Sequence, residues 1–84
     1  MLEHLYMPRN GDREIILHYI EEFRKLDDDK LHQESTNKQK LGIVGAHRQA
    51  LNLIAFNIVM KERFNVSPIE IENNCLIRFK QNKQ

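Results

Sequence analysis

Apolar side chains recur at helical spacing in the segment NGDREIILHYIEEFRKL, residues 10–26. Successive apolar residues are one, three or four positions apart and fall on one arc of a helical wheel, while charged residues occupy the opposite side. Glu21 and Lys25 form an i,i+4 pair in the order that stabilises a helix. The segment is therefore predicted to be an amphipathic helix whose buried face contains Ile15, Ile16, Tyr19, Ile20, Phe23 and Leu26.

The helical pattern stops at the aspartate run that follows. Residues 27–36 are polar apart from Leu31 and show no periodicity, so they are predicted to be a solvated connector. Thr36 followed three positions later by Gln39 is typical of a capping box, in which each side chain bonds to the other residue's backbone amide. The next helix is therefore predicted to begin here.

Residues 37–64 are predicted to form a long central helix that is apolar on almost every side. The apolar run from Leu51 to Met60 is interrupted only by Asn52 and Asn57. Small side chains recur at i, i+4 and i+8, at Gly42, Ala46 and Ala50, and would allow a second backbone to approach closely. A helix that is apolar all round must be surrounded by other structure.

The carboxyl-terminal segment is predicted to be a β-hairpin. Ile69 and Ile71 alternate with glutamates, as in a strand with one buried face. A turn at residues 72–74 would pair Ile71 with Cys75 and Ile69 with Ile77. A helix beginning at the Ser-Pro pair of residues 67 and 68 is the alternative, because serine is a good cap and proline is tolerated in the first helical turn.

These elements define an α+β fold with an amphipathic helix, a long central apolar helix and a C-terminal β-hairpin. Eighty-four residues are enough for a single small domain, 1–84, with flexible ends predicted at 1–10 and 80–84. No cysteine or histidine spacing is typical of a metal site, and the lone cysteine excludes an internal disulfide. No cofactor is expected.

The central helix also predicts self-association. One amphipathic helix and one short hairpin would leave part of its surface uncovered, and small monomers rarely expose such an apolar stripe. A two-fold homodimer would cover the stripe with an identical one, and a buried asparagine would fix the register. The predicted oligomer interface comprises Gly42, Ala46, Ala50, Leu51, Asn52, Ile54, Asn57 and Ile58.

Charge is unevenly distributed although the formal net charge is only +1. Residues 12–34 contain eight acidic and four basic residues, whereas residues 35–64 contain one acidic and five basic residues. The two regions are expected to attract each other when they pack. A nucleic-acid-binding domain usually presents a strongly basic face instead.

No pattern typical of a catalytic site occurs in the chain: there is no nucleophile elbow, and no nucleophile can be matched to a base. There is also no signal peptide and no apolar stretch long enough to cross a membrane, which predicts a cytoplasmic protein. The expected function is a small, non-catalytic, intracellular interaction module. It would self-associate and bind a macromolecular partner or a small regulatory ligand; an enzyme is the least favoured interpretation.

The stretch GIVGAHR, residues 42–48, supports an alternative function in nucleic-acid binding. Its GXXG pattern resembles the glycine loop with which KH modules clamp a nucleic-acid backbone. KH loops typically carry polar or basic residues between the glycines, whereas Ile43 and Val44 are apolar.

A break in the helix at Gly45 would make this segment an anion site. A helix beginning at Ala46 would present free amides and a positive dipole end to an anion. If the helix continues through the glycines, the same side chains are ordinary surface residues. The candidate ligand- and anion-binding residues are Lys40, Gly42, Gly45, His47 and Arg48.

Overall fold

The computed structural model describes residues 3–80. Within this range the fold is α+β, as predicted, with three helices and an antiparallel sheet of three strands in the order β1-β3-β2. The elements in chain order are β1 (Glu3–Leu5), α1 (Asp12–Arg24), α2 (Asp28–Leu41), α3 (His47–Phe64), β2 (Ile69–Glu72) and β3 (Leu76–Phe79).

Helix α3 lies at the centre of the fold, between α1 on one side and strands β2 and β3 on the other. Phe56 of α3 is fully buried, as is Ile77 of β3. The core also takes side chains from α1, from α2 and from the loop that precedes α3. The apolar side chains on different sides of α3 pack against different neighbouring elements. A single copy of the chain therefore covers most of this helix.

The amphipathic helix predicted within residues 10–26 is confirmed as α1. It runs parallel to α3, as two contacts show. Asp12 bonds to His47 where both helices begin, and Arg24 pairs with Glu62 near the end of both. Gly11 precedes α1 with a φ of 87°. A parallel arrangement places the positive dipole ends of α1 and α3 side by side.

Residues 27–36, predicted to be a connector, instead belong to α2 from Asp28 onward. The Asp27 carboxylate caps this helix by accepting a 2.8 Å bond from the Lys30 amide. Thr36, predicted to cap the next helix, lies inside α2 and donates its hydroxyl to the His32 carbonyl at 3.2 Å. Asp28 and Asp29 in the first turn also favour a helix here, since acids stabilise a helix amino terminus.

The single helix predicted over residues 37–64 is wrong: α2 ends at Leu41, and α3 begins at His47. Gly42 and Gly45 in the intervening loop have φ values of 72° and 88°, in the left-handed region that glycine adopts without strain. Ile43 between them is 3% exposed, so the loop is anchored in the core. The two glycines therefore form the loop between α2 and α3, and they do not belong to a stripe of small residues on one helix.

The predicted hairpin is confirmed, and the alternative helix at residues 67 and 68 is not formed. Asn73 and Asn74 have φ values of 54° and 61°, and both lie in the turn. The register is shifted by two residues from the prediction, so that Ile71 pairs with Ile77. A two-residue shift preserves the face of each side chain, and Ile69 and Ile77 are buried as expected.

Parts of the two predicted flexible ends lie within the described residues. Residues 3–5 form the edge strand β1, in which His4 pairs with Ile77. At the other end the Lys80 amide donates to the Pro68 carbonyl at 2.8 Å. The remainder of the predicted tails, residues 1–2 and 81–84, lies outside the described residues.

Candidate interaction surface

A buried carboxylate joins the adjacent amino termini of α1 and α3. Asp12 is 6% exposed, and its Oδ2 atom accepts bonds of 2.8 Å from both the Tyr6 hydroxyl and the Arg9 amide. Its Oδ1 atom lies 2.9 Å from His47 Nε2, and the imidazole stacks on the Tyr6 ring with 5.7 Å between centroids. The segment before α1 is thereby tied to both helices.

The environment of Asp12 favours the ionised carboxylate. Burial alone would raise its pKa, but the bonds from His47, the Arg9 amide and the Tyr6 hydroxyl outweigh that effect and hold the pKa below the ordinary value of 3.8. Burial and the neighbouring Asp12 raise the pKa of Tyr6 above 10.0, so the phenol stays protonated as a donor. The cluster therefore acts as an ionic clamp between two positive helix ends.

Beside this cluster lies an open groove of about 390 Å³ between α1, α3 and the segment that precedes α1. Its walls are mostly aliphatic, and two of its apolar side chains, Leu17 of α1 and Ile58 of α3, remain 47% and 37% exposed. The groove is lined by Tyr6, Pro8, Arg9, Asp12, Arg13, Ile16, Leu17, Ile20 and Ile58. We call it the α1–α3 groove.

Two arginines that line the groove differ from the three arginines that pair with carboxylates. Arg24, Arg63 and Arg78 each pair with a carboxylate at 2.8–3.3 Å. The guanidinium groups of Arg9 and Arg13 make no hydrogen bond or ion pair with any of residues 3–80. The α1–α3 groove thus combines aliphatic walls with cations that are available to an acidic partner.

Three of the eight residues of the predicted oligomer interface are buried within the monomer, and three more are half-buried. Ala50, Leu51 and Asn57 are buried, and Ile54 is half-buried against the core. Within one chain, these side chains pack into the core beside α1, α2 and the sheet. Of the remaining predicted residues, Gly42 is half-buried in the loop before α3, and Ala46 and Ile58 are exposed.

Asn52 and Asn57, one of which was predicted to fix the register of a dimer, have different surroundings in the monomer. Asn52 Oδ1 accepts a 2.8 Å bond from Lys38 Nζ, which also lies 5.0 Å and 5.2 Å from the ring centroids of Phe23 and Phe56. Burial lowers the pKa of Lys38, opposed by the nearby Glu34. Asn57 Oδ1 is buried without a hydrogen-bond partner among residues 3–80.

The candidate anion-binding residues are distributed over the end of α2, the loop before α3 and the start of α3. Gly42 and Gly45 lie in the loop before α3, but the His47 imidazole is turned to Asp12. Lys40 and Arg48 are exposed on separate helices.

Gln49, which the sequence analysis did not single out, closes the glycine loop. Its Oε1 atom accepts a 2.9 Å bond from the Val44 amide, and its Nε2 atom donates a 2.8 Å bond to the Gly42 carbonyl. A glutamine at the third position of a helix commonly bonds back to the preceding backbone, so the residue type carried a usable signal. The Val44 amide is consequently occupied.

Leu17 is the groove residue that the sequence signalled most clearly. It lies off the apolar arc of α1, among charged residues, where an exposed leucine fills no core position. Arg9 and Asp12 carried no comparable signal, because their surroundings depend on how α1 packs beside α3.

Other chemistry is sparse in the part of the chain that the structure describes. Among residues 3–80, no group of three His, Cys, Asp or Glu side chains is arranged to hold a metal ion. None of α1, α2 and α3 is long and apolar enough to cross a membrane.

Comparisons with known protein families, with curated proteins and with solved structures found no match for this chain.

Proposed function

We propose that the protein is a non-catalytic interaction module that self-associates through the α1–α3 groove. The observation that supports this most strongly is the groove itself, an aliphatic surface that leaves Leu17 and Ile58 substantially exposed. Exposed apolar surface that is contiguous with a groove marks an interaction site more often than scattered apolar residues do.

The shape of the groove favours a polypeptide over a small molecule. Sites for small ligands usually enclose most of the ligand surface, whereas this groove is open to solvent along its length. A helix or an extended segment laid across it would cover Leu17 and Ile58 together. Apolar side chains at the centre with charged groups around them match the usual anatomy of a protein interface.

Replacing Leu17 or Ile58 with aspartate should produce a folded monomer. Both side chains are partly exposed, so a charge there disturbs association more than folding, whereas a charge inside an apolar interface is strongly unfavourable. Sedimentation equilibrium at micromolar concentration, together with circular dichroism, measures both properties.

Val66→Asp is the matched control for these substitutions. Val66 is 63% exposed and is absent from the groove lining, so its replacement should leave the oligomeric state unchanged. A wild-type chain that sediments as a monomer at micromolar concentration would contradict the proposed self-association.

Nucleic-acid binding at residues 42–48 is the second candidate function. It is supported by the break between α2 and α3, which frees a helix amino terminus next to the exposed Arg48. Against it, Gln49 occupies the Val44 amide, and Asp12 engages the His47 side chain.

Binding of single-stranded RNA or DNA should accordingly be weak or absent at physiological salt. The basic residues of α3 are offset by acidic residues elsewhere in the chain, so few phosphate contacts are available. Fluorescence anisotropy with a labelled oligonucleotide at several salt concentrations measures this. A tight, steeply salt-dependent complex that Arg48→Ala weakens more than Lys80→Ala would favour nucleic-acid binding instead.

A further inference from the structure

We infer that the occupant of the α1–α3 groove is a second copy of this chain, arranged about a two-fold axis that passes beside Leu17 of α1. The inference rests on the proposed self-association and specifies its geometry. It replaces the predicted interface on the central helix, three of whose eight residues are buried, with one on the exposed face of α1.

The sequence of α1 is self-complementary about Leu17. Arg13 lies four residues before Leu17 and Glu21 lies four residues after it, and all three side chains are exposed. Residues four apart lie on the same face of a helix, about 6 Å apart along its axis. When two such helices pack antiparallel, Leu17 meets Leu17 of the second copy, and Arg13 faces Glu21 of the second copy.

Both charged groups are available for this pairing. The Arg13 guanidinium lines the groove and has no hydrogen bond or ion pair among residues 3–80. The Glu21 carboxylate makes no hydrogen bond with the described residues: Lys25 bonds to Glu22 at 2.9 Å and interacts with Glu21 only through its charge. A two-fold axis forms the Arg13–Glu21 pair twice, and opposite charges placed in this way fix the orientation and register of an interface.

Helix α3 supplies the rest of the apolar contact. It runs parallel to α1, and Ile58 lines the same groove as Leu17. Helices that pack through side chains of this size lie 8–10 Å apart, a separation that arginine and glutamate side chains span. The second copy would therefore cover Leu17 and Ile58 while its charged residues lie at the margin.

Two single charge reversals, Arg13→Glu and Glu21→Arg, test this arrangement. Each variant alone would place like charges opposite each other at both pairs, so the dissociation constant of its homodimer should rise by about tenfold or more. An equimolar mixture of the two variants restores both opposite-charge pairs. It should form a 1:1 heterodimer with an affinity close to that of the wild-type homodimer.

Folding should survive both substitutions. Arg13→Glu places an acid in the first turn of α1, and Glu21→Arg places a base near its end, and both changes favour the helix dipole. Lys80→Glu is the control, because it changes the net charge as Arg13→Glu does but lies outside the helices. Mixing Lys80→Glu with Glu21→Arg should not produce a heterodimer of wild-type affinity.

Sedimentation velocity of the separate and mixed variants, with one partner fluorescently labelled, distinguishes the outcomes. Weak homodimers and a restored heterodimer support the proposed axis. A wild-type dimer that neither reversal weakens would overturn the axis and leave the proposed self-association intact. A wild-type monomer would overturn both.

Discussion

Replacing Leu31 with alanine should lower the free energy of unfolding by about 2–4 kcal/mol, the usual cost of truncating a fully buried leucine. Leu31 is 0% exposed, and Leu31 and Ser35 are the two buried residues of α2. The other apolar side chain of this helix, Leu41, is 68% exposed. The attachment of α2 to the core therefore depends strongly on one side chain.

Leu41→Ala provides a matched control, since it changes the same residue type in the same helix. Its effect on the free energy of unfolding should stay within about 0.5 kcal/mol, as for most surface substitutions. Urea denaturation followed by circular dichroism measures both variants. Equal effects at the two positions would show that Leu31 does not anchor α2.

The structural consequence of Leu31→Ala should be concentrated in α2. A helix of 14 residues is marginal in water without tertiary contacts, and α2 is predominantly polar. Hydrogen exchange should therefore accelerate in residues 28–41 before it accelerates in α1 or α3. Lys38, which contacts Phe23 and Phe56, would then be the main remaining link between α2 and the core.

The dependence of α2 on a single buried leucine also explains why this helix was not predicted from the sequence. Helix α1 and the hairpin could be predicted because several apolar residues in each repeat at the period of their element. One buried leucine in α2 creates no period, and its cap at Asp27 lies within a run of aspartates that also reads as a solvated loop. Local propensity alone could not decide between a helix and a solvated loop.

The break between α2 and α3 was considered only as an alternative to one long helix, because the contacts that stabilise the loop cannot be recognised from a helical pattern. Two glycines cost a helix about 1 kcal/mol each, which an apolar environment can offset. In the structure, the burial of Ile43 stabilises the loop. The Gln49 side chain adds two hydrogen bonds, one accepted from the Val44 amide and one donated to the Gly42 carbonyl. Because of this break, α3 is shorter than the predicted helix and is covered by more neighbouring elements. The prediction of a dimer assumed an uncovered apolar stripe along the longer helix, so that reasoning no longer applies.

The candidate surface was predictable only in part. Leu17 among charged residues of α1, with Arg13 and Glu21 four positions to either side, is visible in the sequence. The groove is not, because it requires α1 and α3 to lie parallel. That arrangement is marked by the contact between Asp12 and His47, which are 35 residues apart.

Asp12→Asn should destabilise the protein more than Glu62→Gln, which breaks the exposed Arg24–Glu62 pair. Exposed pairs contribute little, whereas the Asp12 carboxylate accepts bonds from the Tyr6 hydroxyl and the Arg9 amide and contacts His47 at two adjacent helix ends. Urea midpoints at neutral pH compare the two variants. If Asp12→Asn were as mild as Glu62→Gln, Asp12 would not be the ionic clamp described above.

The effect of Asp12→Asn should also depend on pH with a defined sign. The pKa of Asp12 is lower in the folded chain than its ordinary value of 3.8, so its stabilising contribution is fully present above that value. The contribution is lost as the pH falls through the folded pKa, because the carboxylate then becomes protonated. The difference in unfolding free energy between wild type and Asp12→Asn should therefore be large at about pH 7 and should shrink at about pH 2.5. A difference that stays constant over this range would mean that folding does not favour the ionised form of Asp12.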